Sequence, residues 1–175
     1  MLFRSIASLA CTVLLAASGV AQSGKAAPSP AETATVSLQG KSITVKYGAP
    51  SMRGRKIVGA LVPYGKVWRT GANDATSFTT NTALKIGDAS IPAGTYTLFT
   101  LPGEQQWVLI LNKQTGQWGL EYHQEQDLAH IPMKSSTLAS PQEKMSITFE
   151  NTKGNSTEMH IKWENTDESV KITAQ

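Results

Sequence analysis

Cysteine is the scarcest residue of this chain, present once, at Cys11. It lies within MLFRSIASLACTVLLAASGVAQS, where Arg4 gives a positive start, residues 6–17 an apolar stretch, and Gly19 and Ala21 the small residues of a cleavage site. The pattern predicts a secretory signal peptide over residues 1–21, cut after Ala21. A lipoprotein signal would carry a leucine-like residue where Ser8 stands, so lipid anchoring at Cys11 is the weaker reading. Once the segment is removed the chain has no cysteine, which excludes disulfides, redox thiols and thiolate metal sites. Its stability must then come from packing.

Other absences narrow the function. The apolar stretch near the N-terminus is too short for a stable membrane span, and no membrane span is expected. The formal net charge is +3, falling to +2 without Arg4, too little to make nucleic acid a default partner. No G-x-S-x-G elbow, S-x-x-K or H-E-x-x-H motif occurs, so no covalent or zinc-dependent mechanism is indicated and no cofactor is called for. Acids are present, but no spacing singles out a carboxylate pair of the glycosidase kind. Helical spacing is not sustained anywhere.

What the chain does have is alternation of apolar and polar residues, the period of a half-buried strand. Val36 and Leu38 begin it, Ile43, Val45 and Tyr47 continue it, and residues 77–80 and 84–86 read as short strands. Gly87-Asp88 and Pro92-Ala93-Gly94 read as turns before the strand TYTLFTL. Residues 107–111, WVLIL, are apolar on both faces, as in a strand covered on both sides. Met145, Ile147 and Phe149 alternate, NTKGNS turns the chain, Met159, Ile161 and Trp163 alternate, ENTDES turns it again, and Val170 and Ile172 close the set. Short strands joined by Gly, Asn, Asp and Pro predict an all-β, single-domain antiparallel β-sandwich, with a partly closed barrel as the alternative. Residues 22–32 read as a flexible leader and 33–175 as the single β domain.

One stretch departs from this rhythm. Residues 47–76, YGAPSMRGRKIVGALVPYGKVWRTGANDAT, hold five of the chain's 14 glycines, at Gly48, Gly54, Gly59, Gly65 and Gly71. Val58–Leu61 has room for a single helical turn. Between residues 41 and 69 stand Lys41, Lys46, Arg53, Arg55, Lys56, Lys66 and Arg69 and no acid, whereas from residue 104 onward ten acids face six lysines. Charge divided in this way builds a basic face, or pairs internally once the chain folds.

Arg53-Gly54-Arg55 puts two guanidinium groups on one side of an extended segment, suited to carboxylate, phosphate or sulfate. Equally, arginines with five donors can bind loop carbonyls and hold a strand-poor segment in shape. Tyr64, Trp68, Trp118 and Tyr122 offer platforms for sugar rings, although large aromatics more often fill cores. Core packing is the expectation for Trp68, Trp107 and Trp163, and exposure for Trp118. Asn73 and Asp74 belong to a ligand pocket if they face Arg53 or Arg55, and otherwise serve a turn. Glu121, His123, Glu125, Asp127 and His130 place nitrogen and oxygen ligands within reach of a divalent cation, but the spacing matches no metal motif and no metal is assigned. His160, between Met159 and Ile161, is expected on the outward face. Asn155-Ser156-Thr157 matches a glycosylation sequon, read as chance.

The block resembles the hallmark of the bacterial exported family known as domain of unknown function 2911. The shared pattern is Tyr47-Gly48-x-Pro50, Arg53-Gly54-Arg55-x-Ile57, residues 61–65 (LVPYG), Val67-Trp68-Arg69-x-Gly71-Ala72-Asn73 and Thr76. It continues through Ile91-Pro92-Ala93-Gly94-x-Tyr96, Trp107 with Asn112, and Trp163-Glu164. Val58 stands where an aromatic is expected, and Asp74 where glutamate is usual. The resemblance implies an exported, mostly β domain and points to Arg53, Arg55, Arg69, Asn73 and Asp74, but it implies no reaction. The leading expectation is a non-enzymatic β-sandwich, periplasmic or secreted, binding a small anionic or carbohydrate ligand through Arg53, Arg55, Tyr64, Trp68, Arg69, Asn73, Asp74 and Trp118. The alternatives are a hydrolase-like enzyme using Asp74 or a carboxylate near His123, and a structural domain with an envelope protein partner.

Overall fold

The computed structural model describes residues 29–175. The expected signal peptide and residues 22–28 of the leader lie outside the described residues. Ten strands follow in order: β1 (Ala31–Leu38), β2 (Lys41–Gly48), β3 (Ser77–Thr80), β4 (Leu84–Ile86), β5 (Ala89–Ile91), β6 (Gly94–Leu101), β7 (Val108–Asn112), β8 (Asp127–Pro132), β9 (Lys134–Lys153) and β10 (Ser156–Ala174). They form two antiparallel sheets, one ordered β1-β2-β3-β6-β7-β8 and the other β5-β4-β10-β9. The architecture is the β-sandwich that the alternation predicts; among the described residues no barrel closes. Ala31 and Glu32, the end of the leader segment, pair with Gly48 and Tyr47.

The core is what period-2 patterning dictates. Ile43, Val45 and Tyr47 of β2, Phe78 of β3, Leu98 of β6 and Leu109 and Leu111 of β7 meet Met145 and Ile147 of β9 and Met159, Ile161 and Ile172 of β10. Burying each such side chain contributes about 1.5–3 kcal/mol relative to exposure. A polar tie crosses this core, where the Ile147 backbone N–H donates to the Tyr47 hydroxyl at 3.0 Å. Burial raises the Tyr47 phenol above its usual range, so it stays neutral and able to accept.

The second buried face of WVLIL has its own cover. Ile110 is fully buried, and Phe99 on the neighbouring strand meets the Tyr122 ring edge-on at 5.1 Å. Tyr122 belongs to residues 113–126, a loop held by Asp127, whose carboxylate accepts from the Tyr122 hydroxyl at 2.6 Å and from Asn112 Nδ2 at 2.8 Å.

Two local expectations are corrected. ENTDES is not a turn: β10 runs through it, paired with β9 at Thr166↔Thr137, Asp167↔Ser136 and Glu168↔Ser135. Register shifts flank Glu164, which takes a positive φ of 54°, so an irregularity in the ladder absorbs the bend that the Asn and Asp residues suggested. Val58–Leu61 is a tight turn closed by Ala60 N–H donating to the Ile57 carbonyl, with Val62 bridging back to Val58, and not a helical turn. His160 lies on the face opposite Met159 and Ile161, as their alternation implies, and is buried there among polar neighbours, its Nδ1 at 2.8 Å from Asp167 Oδ1.

Residues 49–76 link β2 to β3 and touch both sheets. Ser51 bridges Lys144 of β9, and the Met52 N–H donates to the Glu143 carbonyl at 2.8 Å. Farther along, Trp68 exchanges two backbone hydrogen bonds with Thr100 of β6, at 2.8 and 2.9 Å. A segment without strand periodicity thus satisfies its backbone groups on two sheets at once.

Candidate functional site

The acidic half of the chain shapes the basic block through its backbone. A Glu143 carboxylate oxygen accepts from the Arg53 N–H at 2.9 Å, and Glu164 accepts from the Ile57 and Val58 N–H groups at 3.3 and 2.9 Å. Arg55 is partly structural: its Nε donates to the Met52 carbonyl at 2.9 Å and its Nη2 to the Ser51 carbonyl at 2.8 Å. The residue as a whole is nonetheless exposed. Both readings of this arginine, loop brace and surface cation, coexist in one side chain.

Behind the loop lies a tryptophan cluster. Trp68 stacks on Trp163 at a centroid distance of 5.9 Å and an angle of 17°, and meets Trp107 edge-on at 6.2 Å. Trp107 and Trp163 are buried and Trp68 partly so, as core packing anticipates. Trp163 is fixed by its indole N–H, which donates to the Glu143 carbonyl at 3.1 Å.

Over this cluster opens a groove of about 450 Å³. Arg55, Lys66 and Arg69 line it together with Asn73, and its apolar wall includes Trp68, Trp163, Val62 and Leu120. Among the described residues no carboxylate or imidazole lines it. Arg69 is half-buried, and its Nε is shut off from solvent with no hydrogen-bond partner among the described residues. A buried donor left unmatched costs about 1–3 kcal/mol, and this one lies under the loop at Gly119. Leu61 and Leu120, exposed by 47 and 73%, form an apolar rim.

The backbone brings these pieces close. At Gly119 a Cβ would collide with Arg69 Cδ and the Asn73 carbonyl, so the 113–126 loop lies directly on the arginine stem. At Gly48 a Cβ would run into the Ala72 carbonyl, where the Ala72 N–H donates to the Gly48 carbonyl at 3.1 Å. These close approaches, rather than flexibility, account for two glycines near the site.

Of the eight residues singled out from sequence, the groove collects Arg55, Trp68, Arg69 and Asn73. Arg53 lies beside Glu143 and does not line it. Tyr64 lines a different hollow, and Asp74 lines two others, of about 300 and 310 Å³. Trp118 is 48% exposed and bridges Asp74 through backbone pairing. Sequence reasoning missed Lys66, Leu120 and Trp163 as groove residues; only the basic run held a signal, for Lys66. The histidines of residues 121–130 divide between partners, His123 with Glu125 at 3.2 Å and His130 with Asp127 at 2.7 Å. Among the described residues no cluster of three metal-ligating side chains forms.

The family model described as protein of unknown function, DUF2911, matches residues 29–172. No curated protein and no solved structure matches the chain.

Proposed function

The chain belongs to the DUF2911 family, and from that premise we propose that it is an exported binding protein whose groove takes a small anionic ligand bearing an apolar body. The observation that carries this reading is the lining itself: three cations and, among the described residues, no carboxylate. Guanidinium groups favour carboxylate, phosphate or sulfonate oxygens, and charge-assisted bonds of this kind are about twice as strong as neutral ones. The tryptophan wall and the leucine rim suit the rest of the ligand. Charge favours an anion over a neutral sugar here, because one face of Trp68 is covered by Trp163 and is not free to stack. The lining holds no carboxylate or imidazole among the described residues, which supports binding rather than hydrolysis, and Asp74 lies outside it.

The test is a thermal-shift titration of residues 22–175 with inorganic phosphate, citrate and phenyl phosphate. Ligands that bind only the folded chain raise the melting temperature by mass action. The expected order places phenyl phosphate above phosphate, with both shifts shrinking in high salt. No shift with any of the three sinks the small-anion reading and favours a protein partner on the leucine-rimmed face.

A further inference from the structure

A second hollow, of about 260 Å³, lies against the same tryptophan cluster and has the opposite chemistry. It forms where β10 continues past the Glu164 irregularity and pairs with the start of β9, a stretch in which Thr166 faces Thr137 and Glu168 faces Ser135. Ser135, Ser136, Thr137, Asn165 and Thr166 are among its lining residues, and among the described residues no lysine or arginine lines it. Glu168, only 1% exposed, also lines it and accepts from Ser135 Oγ at 2.7 Å. Tyr64, 41% exposed, and the buried Trp107 add aromatic surface.

Charge selects the ligand class. An anion would meet Glu104 on the exposed lining and no compensating cation. A cation would require Glu168 to ionise, which burial opposes, pushing its carboxyl above the usual range with Asp167 adding to the effect and Ser135 opposing it. The Glu168 carboxyl is already engaged by the Ser135 hydroxyl, and the hydroxyl and amide side chains among the lining residues both donate and accept. We propose that this hollow binds a neutral, hydroxyl-rich ring, a single sugar unit, with Glu168, Asn165 and the β9 hydroxyls meeting its hydroxyls and Tyr64 its apolar face. The volume sits just below the usual range of about 300–1,000 Å³ for ligand pockets, which suits one ring and not an oligosaccharide held along its length. The site is separate from the anion groove, and a void of about 10 Å³ lined by Trp68, Trp107, Trp163 and Glu168 lies between the two sets of lining residues.

The experiment titrates residues 22–175, at high salt, with methyl glucoside, N-acetylglucosamine and inositol, following tryptophan emission and calorimetric heat. A saturable, salt-insensitive response to at least one of the three is expected. Thr137→Trp, which fills the hollow from an exposed position, should abolish that response with the melting temperature unchanged. Glu168→Gln, neutral and of the same shape, should retain it, and Glu168→Leu should weaken it by about tenfold or more. An Arg55→Gln, Arg69→Gln double variant should bind the sugar normally, which separates this site from the groove. Silence with all three probes, or a response that survives Thr137→Trp, overturns the proposal. So does a phosphate response that Thr137→Trp removes, since the hollow would then be an anion site.

Discussion

The carboxylate of Glu164 accepts the backbone hydrogen of Val58 at 2.9 Å, across 106 residues of sequence. The same oxygen takes the Ile57 N–H at 3.3 Å, so the irregularity in β10 and the basic loop stand or fall together. Hydrogen bonds to a charged group are worth about 1.5–3 kcal/mol. Glu164→Ala should therefore lower stability by about 2 kcal/mol, and Glu164→Gln by roughly half that. Urea unfolding followed by circular dichroism measures both; an alanine variant as stable as the parent would detach this contact from the fold.

Arg69 and Arg55 should separate binding from stability. Because Arg69 Nε is buried without a partner among the described residues, Arg69→Leu removes an unmatched donor and should leave the melting temperature unchanged or higher while abolishing anion binding. Arg55 braces two carbonyls, so Arg55→Gln should weaken binding and also lower stability by about 1 kcal/mol. Asp74→Asn, outside the groove lining, should leave the anion affinity within about twofold. Binding that persists in Arg69→Leu would remove this residue from the site.

Gly119 is where a single methyl group should disturb the groove. Its Cβ would press on the Arg69 stem and the Asn73 carbonyl, both groove residues. Overpacking of this kind costs about 1–3 kcal/mol. Gly119→Ala is expected to lose stability on that scale and to lose anion affinity as well, read by thermal shift with and without phenyl phosphate. An alanine variant with parental affinity would mean that the loop yields without moving Arg69.

Two glutamates should give stability opposite slopes against pH. Lys162, at 2.6 Å, leads the groups that hold Glu150 below the ordinary glutamate value of about 4.3. Its contribution is full above that value and disappears as pH falls through the depressed folded one. Glu168 is raised instead, so the folded state holds its proton longer than the unfolded chain, and stability declines as pH rises from about 4.3 through the raised value. Lys162→Met should flatten the acid limb, and Glu168→Gln should remove the decline toward neutral pH. Denaturant midpoints measured from pH 3 to 8 test both; parallel curves for Glu168→Gln and the parent would show that folding does not shift the titration of Glu168.

Much of the fold was legible because period-2 burial leaves a direct trace in sequence. Residues 43–47, 145–149 and 159–163 announce their strands by alternation, and their apolar positions are the core, with Phe149 packed at its margin. β8 was not legible: Asp127, His130 and Pro132 give residues 127–132 a polar cast, and the strand is secured by Asn112 and Tyr122 binding Asp127 from afar. ENTDES misled because Asn and Asp suit irregular backbone of any kind, whether a reversal or a shift in register. In the site, the composition of residues 47–76 pointed to Arg55, Trp68, Arg69 and Asn73. It said nothing of Leu120 or Trp163, which reach the groove only through packing.

The sequence by itself determined the strand periodicity, the family and the concentration of cations in one glycine-bearing segment, since each is a property of residues close together along the chain. Only the tertiary structure decided which of those cations share a groove, that Arg53 lies beside Glu143 and outside it, and that Glu168 is buried against the Ser135 hydroxyl. The reason is physical. Local backbone preferences act over a few residues, whereas a binding surface is made where two sheets and two loops bring distant side chains to the same place.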